Sequence, residues 1–522
     1  MGFDTKAGME RGSVRDEKQV PRSACPITPG AGVTGPLMRS AWDDKVKEVQ
    51  GDRSAPHLHP RASTTGAAPT PHLERRIGLA SAVALNMMYM VGVGPFITLP
   101  LIVAAMGGSQ ALLGWLLGAF IAACDGLVWA ELGAAMPEAG GSYAFLREMY
   151  GRDGAGRFAS FLYIFQLGFS APLSIASGCI GFAEFASFMV TPLARPLFSA
   201  WPNGPHWTNV VAAGAVALIV GMLYRDIRAI LRTAWVLWAG VMAAMAIVLI
   251  AGFTHFHPAL LRMPPHALTF TPGFFAGLGS ATLIATYDYW GYYNVCFLGG
   301  EIRNPGRTIP RAVLASIAIV AVLYIAMNVS VLGVIPAASM AQVGRTVVAE
   351  MVARTLGPAW AIGIACLIMW TAFSSVFALL MGYSRVPYAA ALDGNYFRIF
   401  AHLHPKRNFP DVSLLALGAV AAVFCFFTLA QLIAALVVIR IVLQYLLQQV
   451  GVMVLRVRRP DLPRPFRIWL YPLPPLLALA GFLFILFSRT QDLHYLLYAV
   501  GIALVGTVLY MLRARSRNEW PF

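Results

Sequence analysis

Two short stretches of this chain combine groups that chemistry can use with groups that a regular helix cannot hold. The first is Met90-Val91-Gly92-Val93-Gly94-Pro95-Phe96, and the second is Tyr287-Asp288-Tyr289-Trp290-Gly291-Tyr292-Tyr293-Asn294. Pro95 has no N–H and disfavours helical geometry at Gly94, and each helical glycine costs about 1 kcal/mol relative to alanine. N–H groups freed around Gly92, Val93, Gly94 and Phe96, at the start of a half-helix with its positive dipole end, suit a carboxylate. The second stretch crowds a carboxylate, a glycine and five aromatic rings into one place. Carbonyls near Tyr289, Trp290 and Gly291, together with Asp288, suit an ammonium group, and the rings of Tyr287 and Trp290 suit the face of a cation.

The elements that carry these stretches are set by composition. Of 522 residues, 58% are hydrophobic and 12% charged, about half the charge of a soluble domain. Apolar runs long enough to cross about 30 Å of hydrocarbon recur over 77–105, 109–135, 158–190, 208–223, 231–253, 273–299, 311–335, 358–383, 412–428, 430–455, 469–488 and 493–512. The fold class is therefore an all-α membrane protein of about twelve transmembrane helices, with the bilayer as solvent. Residues 337–354 read as a short amphipathic surface helix. The two special stretches interrupt the first and sixth spans, at matching positions of two five-helix halves. Irregular backbone at that depth persists only where it lines a cavity or is buried in protein, and paired interruptions of this kind point to a midplane binding site.

The net charge of +15 belongs to the loops and not to a nucleic-acid surface. Residues 1–72 hold ten Lys/Arg against eight Asp/Glu and no apolar periodicity, so they read as a disordered cytoplasmic tail. With that end inside, the inner loops and the C-terminal end hold 21 Lys/Arg and the outer loops 5; by the positive-inside rule both termini are cytoplasmic. Residues 73–512 form the transmembrane domain and 513–522 a short basic tail. Six cysteines stand singly, without metal-ligand spacing, so neither a disulfide framework nor a metal site is expected.

Charges inside apolar spans are costly enough to need a partner or a task. They are Asp125, Glu131, Glu184, Asp288 and Arg440. Asp288 stands at a helix break. Arg440 begins a polar stripe that continues through Gln444 and Gln448, and it has three readings: partner of an outer-gate carboxylate, neutraliser of Asp288, or member of a structural ion pair. Glu131 and Glu301 sit near cytoplasmic helix ends, where loop arginines pair with them or an inner gate uses them. Ser374 and Ser375 in the eighth span are hydroxyls for a sodium ion beside the first break, or partners of their own backbone.

With these residues in view, the chain resembles the amino acid–polyamine–organocation superfamily, over about residues 75–512. The resemblance rests on Gly92-Val93-Gly94-Pro95-Phe96, on Trp129-Ala130-Glu131-Leu132-Gly133 through Pro137-Glu138-Ala139-Gly140-Gly141-Ser142-Tyr143, and on Gly300-Glu301-Ile302-Arg303-Asn304-Pro305 followed by Thr308-Ile309-Pro310-Arg311-Ala312. Arg459-Pro460-Asp461-Leu462-Pro463-Arg464-Pro465-Phe466 resembles the family's loop after helix ten. The resemblance implies a LeuT-like 5+5 inverted repeat plus two C-terminal helices. It implies backbone at the first break for a substrate carboxylate, backbone at the second for its amino group, and an aromatic gate at Tyr287. Gly94-Pro95-Phe96 is more similar to the polyamine-uptake branch, and the fifth span lacks the lysine through which many family members couple to protons.

The expected function is secondary transport of amino acids by alternating access in the plasma (cell inner) membrane, as symporter, antiporter or uniporter. The alternative is a carrier of polyamines or cationic amines held by Asp288. Small-molecule substrate and lipid are the expected partners, with no nucleic acid, no obligatory protein partner and no cofactor beyond a possible coupling proton or sodium ion. An enzyme is disfavoured by the lack of HExxH spacing or a nucleophile elbow, and a channel by the lack of a filter-like repeated loop.

Overall fold

The computed structural model describes residues 73–197, 204–427, 437–488 and 493–521. The expected tail 1–72 and the junction between the ninth and tenth spans lie outside the described residues. Within them, a helix stands at each of the twelve expected positions. The first span is a pair, α1 (Leu79–Met90) and α2 (Gly94–Met106), bent by 47° across the glycine break. There follow α3 (Leu112–Ala135), the short α4 (Ser142–Met149), α5 (Ala155–Met189), α6 (Trp207–Leu223) and α7 (Ile227–Thr254). The sixth span is again a pair, α8 (Pro272–Tyr289) and the single turn α9 (Asn294–Phe297). Then come α10 (Pro305–Leu332), α11 (Val347–Leu356), α12 (Pro358–Tyr383), α13 (Arg385–Leu392), α14 (Asp411–Phe424), α15 (Val437–Arg458), α16 (Leu473–Phe487) and α17 (Leu493–Arg517).

Seven of these helices are long and apolar enough to cross a bilayer singly, and the bent α1–α2 pair makes an eighth crossing. Their outward faces carry large apolar side chains such as Leu116, Ile250, Val322, Trp360 and Leu504, all about half exposed or more, as hydrocarbon requires. Between the seventh and eighth crossings, the expected surface helix is present but begins as irregular 3-10 turns. Only α11 is a continuous amphipathic helix, burying Val347, Val348, Met351 and Val352.

The packing pairs several spans with their counterparts five spans later. Helix α3 (second span) packs along α10 (seventh), and α5 (third) packs along α12 (eighth). The contact of α1 with α10 is matched by that of α8 with α3, the same exchange of first for sixth and second for seventh. This is the pattern a two-fold relation between five-helix halves produces. A separate group joins α5, α6, α12 and α14. The α3–α8 contact is close because it is built from small residues: Gly114 and Gly118 on one helix face Ala281 and Ala285 on the other, and a Cβ at Gly114 would lie 2.7 Å from that of Ala281. Small residues at four-residue spacing let helix backbones approach in lipid, where apolar burial gives no drive to associate.

The two breaks touch. Gly291 has φ +131°, open to glycine and strained for other residues, and a Cβ there would lie 2.8 Å from the Met90 N. Polar side chains pair the peptide groups that the breaks release. Asn86 Nδ2 donates to Tyr292 O at 2.6 Å, and Val295 N donates to Asn86 Oδ1 at 3.0 Å. The Tyr324 hydroxyl donates to Met90 O at 2.7 Å and reaches Asp288 O at 3.3 Å. Ser375 of α12 donates to Tyr89 O at 2.9 Å, and Thr371, whose closer acceptor is Ile368 O of its own helix at 2.8 Å, lies 3.3 Å from Gly92 O.

The two helix-end carboxylates resolve into ion pairs. Glu301 accepts from Arg385 Nη2 at 2.8 Å, both side chains being 3% exposed. Glu131 pairs with Arg456, lies 3.5 Å from Arg464 and accepts from Ile468 N at 2.7 Å. The last helix runs beyond residue 512 to Arg517, and Arg513 is docked on the carbonyls of Gly394 and Asn395, so the basic end begins as helix.

Asn86 donates to Tyr292 O, and Tyr324 to Met90 O and Asp288 O, so removing either takes a donor from a buried carbonyl at a break, at a cost of about 1–3 kcal/mol. Asn86→Leu and Tyr324→Phe are each expected to lower the melting temperature of the purified protein, Asn86→Leu more because it strands two groups. A melting temperature unchanged in both would show that the breaks are held by something else.

Candidate functional site

Where the two breaks meet α5 and α12, a cavity of about 220 Å³ remains. Its wall is backbone at Gly92, Val93, Gly94 and Pro95, the side chains of Tyr287, Asp288 and Trp290, Ser375 from α12, and Arg440 from α15. Those nine were expected from sequence. Of the others, Phe96 is fully buried behind α2, Tyr289 is buried against Trp115 and Tyr324, and Gly291 is pressed on α1. Ser374 donates to Trp370 O of its own helix at 2.6 Å, and Glu131 is held in its ion pairs at the helix end. Those five do not line the cavity.

Residues not anticipated complete it. Tyr89 and Met90 come from the last turn of α1, Thr98 from the first turns of α2, and Ser174, Ser177 and Gly178 from one face of α5. Only the α5 trio left a signal in the sequence, as small residues at steps of three and four on an otherwise apolar span.

The electrostatics of the site rest on two buried charges. Asp288 is 4% exposed, and its Oδ2 accepts from Thr98 Oγ1 at 2.6 Å. Its other oxygen lies over Gly94, so that a Cβ there would run into it. Asp288 thus sits at the N-terminal end of α2, where the helix dipole favours negative charge. That is the place the sequence reserved for a substrate carboxylate.

Arg440 is 5% exposed and lies in an aromatic frame, its guanidinium 5.6 Å from the Trp290 ring and 5.9 Å from the Tyr383 ring. It donates to Ser174 Oγ at 3.2 Å and Ser170 O at 3.4 Å, while its Nε is buried without an acceptor. No ion pair joins Arg440 to Asp288 or to any other carboxylate among the described residues, so neither the neutralising nor the structural-pair reading of Arg440 matches this arrangement. Immediately after it, α15 makes one π-helical turn over Ile441–Leu446. Such a turn is costly and is frequent at functional sites. The polar stripe that follows is buried as expected, with Gln444 at 1% and Gln448 at 0% exposure, Gln448 accepting from Ser142 at 2.8 Å.

One side of the cavity is closed and the other is not. Toward the ends that carry Glu131 and Glu301, the hydroxyls of Tyr89 and Tyr383 are hydrogen bonded at 2.8 Å, Tyr293 stacks on Trp129 at 4.7 Å and Trp290 on Tyr445 at 4.9 Å. Tyr287 instead is 38% exposed, tilted against Trp290 at 5.4 Å. Among the described residues no cluster of His, Cys, Asp and Glu has metal-binding geometry.

The sequence family that matches is described as amino acid permease, over residues 77–508; that match does not single out a polyamine branch. An uncharacterized transporter of Mycobacterium tuberculosis is 30% identical over 67% of this chain and 73% of its own length. The serine/threonine exchanger SteT of Bacillus subtilis is 27% identical over 80% of this chain and 91% of its own. The branched-chain amino acid permease BcaP of the same species is 25% identical over 86% and 94%. A match over most of the chain, on a fold with paired helix breaks around one cavity, decides the question: the chain belongs to the amino acid permease family and is a multi-pass membrane permease, not an enzyme.

Proposed function

We propose that this permease carries zwitterionic amino acids by alternating access, binding them between Asp288 and Arg440. The observation that carries the reading is that two buried charges of opposite sign line one small cavity without touching each other. Each is expensive at that depth, and a zwitterion completes both at once: its ammonium meets Asp288 and the carbonyls of the second break, and its carboxylate meets the guanidinium of Arg440. A polyamine satisfies Asp288 alone and leaves Arg440 without an anion, so the cationic-amine alternative is the weaker fit. The names of relatives that exchange serine and threonine or take up branched-chain amino acids support the same substrate class.

The moving part in this reading is the group built on α1–α2, α3, α8–α9 and α10, rocking against α5, α6, α12 and α14, with the cavity on their boundary. The excess of basic residues in one set of loops supports cytoplasmic termini in the plasma membrane, so the exposed Tyr287 faces outward and the aromatic layer closes the inner side. Ser375 already donates to the carbonyl of Tyr89, and Thr371 to Ile368 O of its own helix, which supports transport without a sodium ion at the first break.

Two outcomes test this. In proteoliposomes, Arg440→Gln and Asp288→Asn are each expected to weaken leucine binding by at least about 30-fold, as truncating one member of a buried charge contact costs about 2–5 kcal/mol. Inhibition by 4-methylpentanoate should vanish in the first variant and inhibition by isopentylamine in the second. Leucine uptake unimpaired in Arg440→Gln, with putrescine carried, would overturn the zwitterion reading in favour of an amine carrier. Separately, replacing sodium by choline in the medium should leave leucine uptake unchanged; uptake that stops without sodium would refute the hydroxyl clamp.

A further inference from the structure

Away from the substrate site, a larger pocket of about 640 Å³ opens between α5, α17 and the loop after α13. Two helical rows face each other across it at four-residue spacing: Phe161, Phe165 and Phe169 on α5, and Leu509, Arg513 and Arg517 on α17. Each row rises about 12 Å along its helix. Because the helices run in opposite directions, the arginines flank the Phe161 end and the apolar side chains the other. Arg513 lies over the Phe161 ring at 5.5 Å, and its donors are committed to Gly394 O, Asn395 and Glu519. Arg398 and Arg517 complete the basic end and are exposed. Arg517 makes one long contact of 3.4 Å with Gly394 O, and Arg398 has no partner among the described residues.

The pocket is open along its apolar length. Phe169 is 46% and Leu509 44% exposed, and Phe397 and Ile399 of the adjoining loop are 69% and 64% exposed beside Arg398. Apolar rings that reach outward next to guanidinium groups describe the boundary between hydrocarbon and headgroups. Gly168 lies on the pocket wall, where a Cβ would meet nothing closer than the Tyr396 hydroxyl at 3.8 Å.

We infer that this groove binds one phospholipid with an anionic headgroup from the cytoplasmic leaflet. This rests on the orientation given under the proposed function. The headgroup phosphate lies between Arg398 and Arg517, with Arg513 as the fixed floor, and one acyl chain runs between Phe165, Phe169 and Leu509. Planar guanidinium groups suit phosphate oxygens, and the volume lies within the range of built ligand pockets, about 300–1,000 Å³. A soluble anion would gain nothing from the aromatic row, and a zwitterionic lipid would bring its own cation against the two arginines.

The test is lipid retention by the purified full-length protein in native mass spectrometry, with dioleoyl phosphatidylglycerol and dioleoyl phosphatidylcholine offered in equal amounts. Wild-type protein is expected to retain phosphatidylglycerol in preference. Arg398→Gln and Arg517→Gln should each lower that retention about five-fold, the equivalent of about 1 kcal/mol per basic residue. Gly168→Leu fills the groove and should displace both lipids while the protein stays monodisperse. Equal retention of the two lipids, a preference that survives the double arginine variant, or removal of the bound phospholipid by millimolar inorganic phosphate would each overturn the assignment. None of these results bears on leucine transport, so failure here leaves the carrier reading intact.

Discussion

A peptide group in hydrocarbon has no water to turn to, and every other feature of the substrate site follows from how this chain meets that constraint. Two helices are broken at the same depth, and each break is completed by the other half of the molecule. Asn86 of α1 supplies the donor and acceptor that the second break lacks. Tyr324 of α10 bridges the carbonyls of Met90 and Asp288 with one hydroxyl. Ser375 of α12 serves the Tyr89 carbonyl of α1. The breaks are therefore not loose segments but a polar junction fixed from several helices, and the cavity beside it inherits that rigidity.

Charge follows from the same placement. The N-terminal end of α2 is a region of positive potential, and the chain puts its own Asp288 there. The buried positive charge of the cavity stands on a different helix, on Arg440 at the start of a π-helical turn. An aromatic frame of Trp290 and Tyr383 takes part of the cost of burying the guanidinium through cation–π contact. It supplies no negative charge, so the site keeps a demand that a bound anion meets. Glu301 and Arg385 show the contrast: equally buried, they pair directly with each other through Glu301 Oε1 and form a fixed link.

Legibility in the sequence followed the strength of the physical signal. Apolar length located a helix at each expected span, seven of them long enough to cross singly, since a run of some twenty apolar residues in a chain of this composition fits little besides a membrane crossing. Gly92 to Pro95 and Asp288 to Gly291 located the breaks because proline and paired glycines are local statements about backbone. Side-chain direction was not legible in the same way. Phe96, Tyr289 and Gly291 belong to the breaks, yet they face the core and the neighbouring helix, since a broken helix has no fixed periodicity from which to read a face. Tyr89, Thr98 and Ser174 reach the cavity from three elements whose mutual placement is a matter of tertiary packing. Arg440 was visible as a costly charge, but its partners were not, because the nearest are a hydroxyl and two rings rather than a carboxylate.

The closed side of the cavity sets an energetic problem for passage. Opening it requires the Tyr89–Tyr383 hydrogen bond and the stacks of Tyr293 on Trp129 and Trp290 on Tyr445 to separate. Trp290 and Tyr383 are also the rings that frame Arg440, so the layer that seals the cavity and the group that waits for an anion are mechanically one unit. A ligand that pairs Arg440 alters the contacts of the same rings that close the path. Binding and gating are thereby joined through shared atoms, and a ligand biases the two states only by the difference between its interactions in each. A molecule that engages Asp288 alone leaves the guanidinium and its frame as they are.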